Sequence, residues 1–249
     1  MSKEAPFRTR VDRYFRREDT ALAEALKTVC PLEGEEYRNC KAKRVTGVLI
    51  AAPIAAVTAP VVGILALAAK VEDGGSSFYI QERVMGEDKT VPVAKIRCMK
   101  EGSDNDTWAA LRNAVIYGEA KDPRNTRLGR FMRQYELEEL PQVWQVMKGQ
   151  LALVDIRATA RYVIDYIKKE RPESFGEWWK AYISGKPGLF SLNTAVSEKR
   201  KDDRKRHHLD IFYSRKASLG LDLFILYRTG VRMWLKLRQI GVSKSPART

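Results

Sequence analysis

No charged residue occurs between Val45 and Ala69, a run of 25 positions. That exceeds the roughly 18 to 20 apolar residues that suggest membrane insertion. A buried helix of a soluble core is the alternative, but soluble cores rarely hold so long an uninterrupted run. Pro53 and Pro60 fall inside it. Each removes a backbone donor and disturbs the helix one turn upstream. Lys41, Lys43 and Arg44 flank the run and place its N-terminal side in the cytoplasm. A plain crossing would then carry everything after Lys70 to the opposite side. A helix that enters, bends at Pro60 and returns to the same face keeps the rest of the chain cytoplasmic. Such re-entrant backbone needs partners for its freed carbonyls, and the Thr58 hydroxyl is the expected one.

Elsewhere the pattern is amphipathic. Leu128, Phe131, Met132 and Tyr135 sit at i, i+3, i+4 and i+7, one helical face. Leu140, Val143, Trp144 and Met147 repeat the spacing. With Pro141 in the first turn, this predicts a helix from near Leu140 to Gly149. Glu138 and Glu139 then lie at its N-terminus, where the helix dipole favours carboxylates. By themselves they read as ordinary capping acids. Ser77 to Val84 and Val91 to Met99 are rich in branched and aromatic residues and predict two neighbouring strands. Leu151 to Val154 is a short apolar run. Trp108, Leu111 and Val115 are spaced as on a helix. Phe175 to Tyr182 carries Trp178 and Trp179, which suit a membrane interface or a core equally. Ser218 to Leu237 predicts an amphipathic helix with Arg228, Arg232 and Lys236 along one face, apt for an anionic membrane surface. Phe7, Val11, Tyr14 and Phe15, set among arginines, predict an N-terminal accessory helix that lies on a membrane or packs on the body.

Charge sharpens this picture. The 249 residues carry a net +14, and Glu198 to Thr249 alone hold 14 Lys/Arg against 5 Asp/Glu. The surplus favours an anionic partner: a phosphate ligand, anionic lipid or nucleic acid. A membrane-tethered nucleic-acid binder has little else behind it, because the basic residues accompany apolar faces rather than base-stacking platforms. Cys30, Cys40 and Cys98 are too few and too widely spaced for a disulfide or metal framework, which points to a reducing compartment. His207 and His208 have no third histidine to join in a metal site. The first apolar run comes too late for a secretory signal peptide.

Several motifs, in order, carry a resemblance. They are Gln81-Glu82-Arg83-Val84, Lys95-Ile96-Arg97-Cys98-Met99, Asp122-Pro123-Arg124, Leu128-Gly129-Arg130-Phe131, Glu138-Glu139-Leu140-Pro141-Gln142, Val154 with Arg157, and Lys186-Pro187-Gly188. Asp210, Tyr213, Ser218 and Asp222 extend the pattern. Over about residues 43 to 238 the chain resembles the bacterial sugar transferases, the monotopic phosphoglycosyl transferases. The resemblance implies a mostly helical α/β fold on the cytoplasmic face of the bacterial inner membrane, with a proline-broken re-entrant helix and amphipathic interface helices. The implied layout is an accessory segment over 1–42, the re-entrant helix over 43–73, the transferase domain over 74–240 and a basic tail over 241–249.

It also implies a reaction: a phosphosugar moves from a nucleoside diphosphate sugar, expected to be UDP-linked, to polyprenyl phosphate, initiating glycoconjugate or exopolysaccharide synthesis. Glu138 falls at the family's nucleophile and Glu139 at the acid that supports magnesium or proton transfer. Lys95, Arg97, Gln142 and Arg157 fall at positions suited to bind substrate phosphate, and anionic membrane lipids are expected contacts. A homo-oligomer is left open, and no nucleic acid is expected. The departures are specific. Glu138 replaces aspartate. Asp155, Ile156 and Ala158 replace a glycine and two prolines around Arg157. Met85 replaces a glycine, Leu189-Phe190 replaces a threonine-glycine pair, and Ala59 replaces the serine before Pro60. Two readings therefore stand: a working transferase with a glutamate nucleophile, or a catalytically degenerate homologue that binds a partner.

Overall fold

The computed structural model describes residues 26–103, 122–196 and 203–242. The expected N-terminal helix around Phe7 to Phe15, the helical spacing at Trp108 to Val115 and nearly all of the basic tail lie outside them. Two short sheets are held among helices. Helix α1 (Gly34–Asn39) leads directly into α2 (Lys41–Asp73). A hairpin follows, β1 (Phe78–Val84) antiparallel to β2 (Thr90–Ile96), with Phe78 opposite Ile96 and Val84 opposite Thr90. Next come α3 (Arg127–Tyr135), a 3-10 turn at Leu137–Glu139, and α4 (Gln142–Met147). Strand β3 (Ala152–Val154) pairs in parallel with β4 (Gly188–Phe190). Between these two strands run α5 (Arg161–Glu170) and α6 (Pro172–Ile183); α7 (Leu192–Val196), α8 (Asp203–Lys216) and α9 (Leu219–Val242) complete the chain.

Helix α2 sorts its residues in reverse of a soluble helix. Its buried face is mostly small: Gly47, Ala51, Ala55, Ala66 and Ala69, with Val62. Its bulky apolar residues point outward: Val45, Leu49, Val57, Ile64, Leu67 and Val71 are all more than half exposed. Small residues let neighbouring backbone come close, as at Gly47, where a Cβ would lie 3.4 Å from the Leu153 Cβ. An unpartnered stripe of that size is costly in water and suits lipid. This is one helix long and apolar enough to cross a membrane.

Both ends of α2 are fastened to the same domain. Near its start, Arg44 donates to the carbonyls of Val146 and Met147 behind α4. Near its finish, Glu72 accepts from the amides of Arg127 (2.8 Å) and Leu128 (3.2 Å) at the start of α3. Arg97 reaches Asp73 and the Ala69 carbonyl there. The helix is continuous through Pro53 and Pro60. Thr58 donates to Ile54 O at 2.7 Å, not to the Ala56 carbonyl that Pro60 deprives of its usual donor, so the expected rescue of a freed carbonyl is absent.

A buried charge network ties the start of α2 to β3. The Asp155 carboxylate accepts from Arg38 Nη2 (2.6 Å) and Lys43 Nζ (3.0 Å), and its Oδ1 also takes the Ile156 amide at 2.8 Å. The Arg38 and Asp155 side chains are wholly buried. Lys43 also lies 3.7 Å from Asp222, which accepts from the hydroxyls of Tyr37 (3.0 Å) and Tyr213 (2.6 Å). Gly185 leaves room for Arg38, since a Cβ there would meet its guanidinium carbon at 2.5 Å.

Of the two tryptophans, Trp178 belongs to the core. It is 2% exposed and donates to Asp210 at 3.0 Å. Trp179 is half-buried and stacks on Phe175 and Tyr182.

Candidate active site

The approach to the acidic pair begins at Thr126, whose hydroxyl accepts from Gly129 N (2.9 Å) and caps α3. Gly129 is required by contact: a Cβ there would sit 1.9 Å from the Cys98 carbonyl oxygen. Its absence lets α3 lie against the strand that leads out of the hairpin. The helix ends at Glu136, which holds a left-handed backbone with φ of 60° without being glycine. Such a conformation costs on the order of 1 kcal/mol and needs support. Lys236 of α9 supplies some of it, donating to the Glu136 carboxylate at 2.8 Å. The reversal aims the 3-10 turn inward. Leu137 and Leu140 pack against the cluster of Val62, Ile96 and Met132, and so anchor the turn on either side of the two acids.

The predicted helix from Leu140 to Gly149 is shorter than its periodicity suggests. Leu137–Glu139 form a 3-10 turn, Pro141 takes the N-cap position, and α4 proper begins at Gln142. Gln142 is buried there. Gln145, one turn on, bonds the Ala94 amide (3.0 Å) and the Pro92 carbonyl, which locks α4 to β2. That lock sets the position of Lys95.

Glu138 and Glu139 are adjacent yet differ in almost every respect. Glu139 accepts from Lys95 (2.9 Å) and from Arg157, both on Oε1. Burial alone would raise its pKa, but Arg157 and Lys95 overcome that and hold it far below the usual carboxylate range. Glu138 is 6% exposed, and its Oε2 has no hydrogen-bond partner. Burial first, and the neighbouring Glu139 charge second, push it up to about 7. Lys95 and Arg133 pull the other way without prevailing. The site thus holds one firmly ionised carboxylate locked to cations and one basic carboxyl with a lone pair to spare.

Of the expected phosphate-binding residues, Lys95 and Arg157 converge on Glu139, whereas Arg97 turns away to Asp73 at the end of α2. A residue of the Gln81 to Val84 motif, not singled out from sequence, joins the group. Arg83 on β1 donates to the Ala158 carbonyl (3.5 Å) beside Arg157. Burial lowers its pKa, and Arg157 adds to that; Tyr162 and Glu139 favour its charged form. Arg83 pairs with Val91 across the hairpin, so only the fold of β1 against the Arg157 loop brings it here. On α9, Arg232 donates to the Thr194 carbonyl and Lys236 to Glu136. Two of the three residues expected to face a membrane therefore hold the domain together.

An acid pair beside three cations, one acid with an unpartnered oxygen, is suited to attack at a phosphoryl centre. Residues 38–236 match the family model for bacterial sugar transferases. The chain belongs to that family. An uncharacterised sugar transferase of Haemophilus influenzae is 30% identical over 195 residues, covering 75% of this chain and 40% of that protein. The undecaprenyl-phosphate galactose phosphotransferase of Salmonella typhimurium is 31% identical over 165 residues, 63% of this chain and 33% of its own. The UDP-glucose:undecaprenyl-phosphate glucose-1-phosphate transferase of Caulobacter vibrioides is 31% identical over 195 residues, 75% of this chain and 67% of its own. This sugar transferase thus spans a third to two thirds of the length of these relatives.

Magnesium is the metal this family implies. Among the described residues no cluster of three or more His, Cys, Asp or Glu could cage an ion. Magnesium does not need one: it is commonly held by one or two carboxylates plus substrate phosphates. Glu139, whose contacts with Lys95 and Arg157 both fall on Oε1, offers its Oε2 for that form.

Proposed function

We propose that this sugar transferase moves a phosphosugar from a UDP-linked sugar to polyprenyl phosphate, with Glu138 as the nucleophile. The carrying observation is the asymmetry of the acid pair. Glu139 is tied by Lys95 and Arg157 and is too weakly basic to attack, whereas Glu138 keeps a free oxygen and a higher basicity. A Glu138 oxygen attacks the sugar-linked phosphorus. The bond from that phosphorus to the bridging oxygen breaks, and the electron pair leaves with the nucleoside monophosphate. An oxygen of polyprenyl phosphate then attacks the same phosphorus and releases Glu138 as carboxylate. Lys95, Arg157 and Arg83 face the charge that builds on the phosphoryl oxygens. Glu139, with donor diphosphate oxygens, would hold magnesium, which supplies charge neutralisation of the leaving phosphate. Gln142, one turn from Glu139, is assigned to donor binding. Arg97 is reassigned from the phosphates to the anchoring of α2.

The membrane reading is monotopic, on the cytoplasmic face of the inner membrane. At about 1.5 Å per residue a straight 33-residue helix is roughly 50 Å long, more than a bilayer core. A spanning helix would leave its two ends in different aqueous phases, yet Arg44 and Glu72 are both bonded to one charged domain. That favours a re-entrant or in-plane α2 with its bulky stripe in lipid.

The test is covalent trapping. Purified protein given a labelled UDP-sugar without acceptor should retain the sugar phosphate on the peptide holding Glu138 and release an equivalent of uridine monophosphate. Glu138→Gln should do neither. Label retained by Glu138→Gln removes the nucleophile assignment. No label on the wild type with any donor favours the degenerate reading.

A further inference from the structure

A cavity of about 290 Å³ lies between the start of α2 and the start of α9, lined by Arg44 and Lys186 and by the apolar Ile50, Leu219, Leu223 and Leu226. The acid pair precedes α4, while the cavity touches the far end of that helix. Glu139 and Val146, which lines the cavity, are seven residues apart, about 10 Å along a helix, so a phosphate held here is out of reach of Glu138.

The two cations are crowded. Lys186 donates to the Gly149 carbonyl at 2.6 Å, and a Cβ on Gly149 would lie 3.1 Å from Arg44 Nη2. Neither has a carboxylate partner among the described residues; they donate to the carbonyls of Val146, Met147 and Gly149. The C-terminus of a helix offers at most about half a negative charge, which leaves most of two positive charges unbalanced. Lys186 is exposed and retains two unused donors. Behind them, Lys43 and Asp222 also line the space and largely cancel each other. The apolar wall continues along Ile50 and the first turns of α9, beside the outward stripe of α2. The cavity sits within three turns of the basic flank at Lys41, the level at which headgroups meet hydrocarbon.

We propose that this cavity is a binding site for the phosphate headgroup of an anionic phospholipid, with an acyl chain along Ile50, Leu223 and Leu226. The site is separate from the donor and acceptor chemistry, and its test needs no turnover. Full-length protein in detergent is examined by native mass spectrometry with phosphatidylglycerol, with phosphatidylcholine and with inorganic phosphate. Phosphatidylglycerol should be retained in preference to phosphatidylcholine. Lys186→Gln should weaken retention roughly tenfold, the value of one charge-assisted bond. Leu223→Trp, which fills the apolar wall without touching a cation, should also reduce it, and a thermal melt checks that each variant is folded. Equal retention of the two lipids, or unchanged retention in both folded variants, overturns the site. Adducts of phosphate alone, without lipid, overturn the lipid and assign the cavity to a free anion. Displacement by polyprenyl phosphate at matched concentration reassigns it to the acceptor and overturns the proposal as well.

Discussion

Replacing Asp155 by asparagine perturbs the buried charge balance behind Arg157 with little change in shape. In the wild type, Arg38 and Lys43 face Asp155 and Asp222, two cations against two acids. Asparagine keeps an oxygen for the Ile156 amide and for Arg38, but it leaves a buried excess positive charge. Breaking one side of a buried ion pair typically costs about 3–5 kcal/mol. For a domain of this size each kcal/mol lowers the melting temperature by about 2–4 °C, so the loss should be on the order of 6–20 °C. Asp222→Asn should cost clearly less. Its contact with Lys43 is longer at 3.7 Å, and two tyrosine hydroxyls already donate to it. Burial also pushes the Asp222 carboxyl up to about 6 against the pull of Lys43, so its charge is less firmly held.

The assay is unfolding in detergent followed by tryptophan fluorescence. A second variant isolates charge from packing. Lys43→Met added to Asp155→Asn leaves one cation, Arg38, and one acid, Asp222, in the network and should recover part of the loss, a coupling that a double-mutant cycle reads directly. A Tm for Asp155→Asn within about 2 °C of wild type, which is under about 1 kcal/mol, would refute the reasoning. So would a double variant that is simply the sum of its parts.

With Glu138 titrating near 7 and attack requiring the ionised form, kcat/KM for the donor should rise with pH, about tenfold from pH 6 to pH 8; a flat or falling profile contradicts the assignment. Lys95→Met removes one of the two cations on Glu139 and should lower monophosphate release by about 10²-fold, with the melting temperature nearly unchanged. Trp178→Phe strips a donor from buried Asp210 and should destabilise by about 1–3 kcal/mol in the same unfolding assay. Cysteines placed at Ser2 and Ser245 should both be shielded from an impermeant reagent in intact cells; labelling of one alone is incompatible with a re-entrant α2.

Much of this architecture was legible because it rests on local pattern. The Val45 to Ala69 run, the two strands, the α3 periodicity and the existence of a helix at α9 all follow from spacing. Proline does not end α2. A proline changes which carbonyls lose a donor, but interruption of the helix depends on what surrounds it, and here the helix continues. The start of α4 was misplaced for a related reason. Leu140 keeps the helical spacing, yet the chain must first reverse at Glu136, and no rule of periodicity anticipates a left-handed glutamate held by a lysine 100 residues away. Lys95 and Arg97 fall together in the sequence because two cations two residues apart look equivalent on a strand. The chain leaves β2 after Ile96, so they part company.

The acid pair marks the sharpest limit of sequence reading. Glu138 and Glu139 have the same side chain and neighbouring positions, and nothing local says which attacks. Their difference comes from groups brought in by the fold: Lys95 by the Gln145 lock between α4 and β2, and Arg157 by the β3–β4 pair with Asp155 beneath it. Both cations reach Glu139 and keep it ionised, while burial first and that neighbouring charge second raise Glu138. The basicity of the proposed nucleophile is therefore set by its own burial and by the charge held beside it, not by its side chain alone. The same logic bears on Glu138 if, as the sequence resemblance implies, it stands at an aspartate position. The extra methylene moves the carboxylate by roughly 1 Å, a displacement that can cost about 100-fold if the surroundings stay fixed. By the resemblance, Asp155 and Ile156 stand where a glycine and a proline are expected, and here Asp155 holds two buried cations beneath Arg157. If Glu138 and this anchor are matched parts of one phosphate-facing assembly, Glu138→Asp alone should not raise activity above wild type.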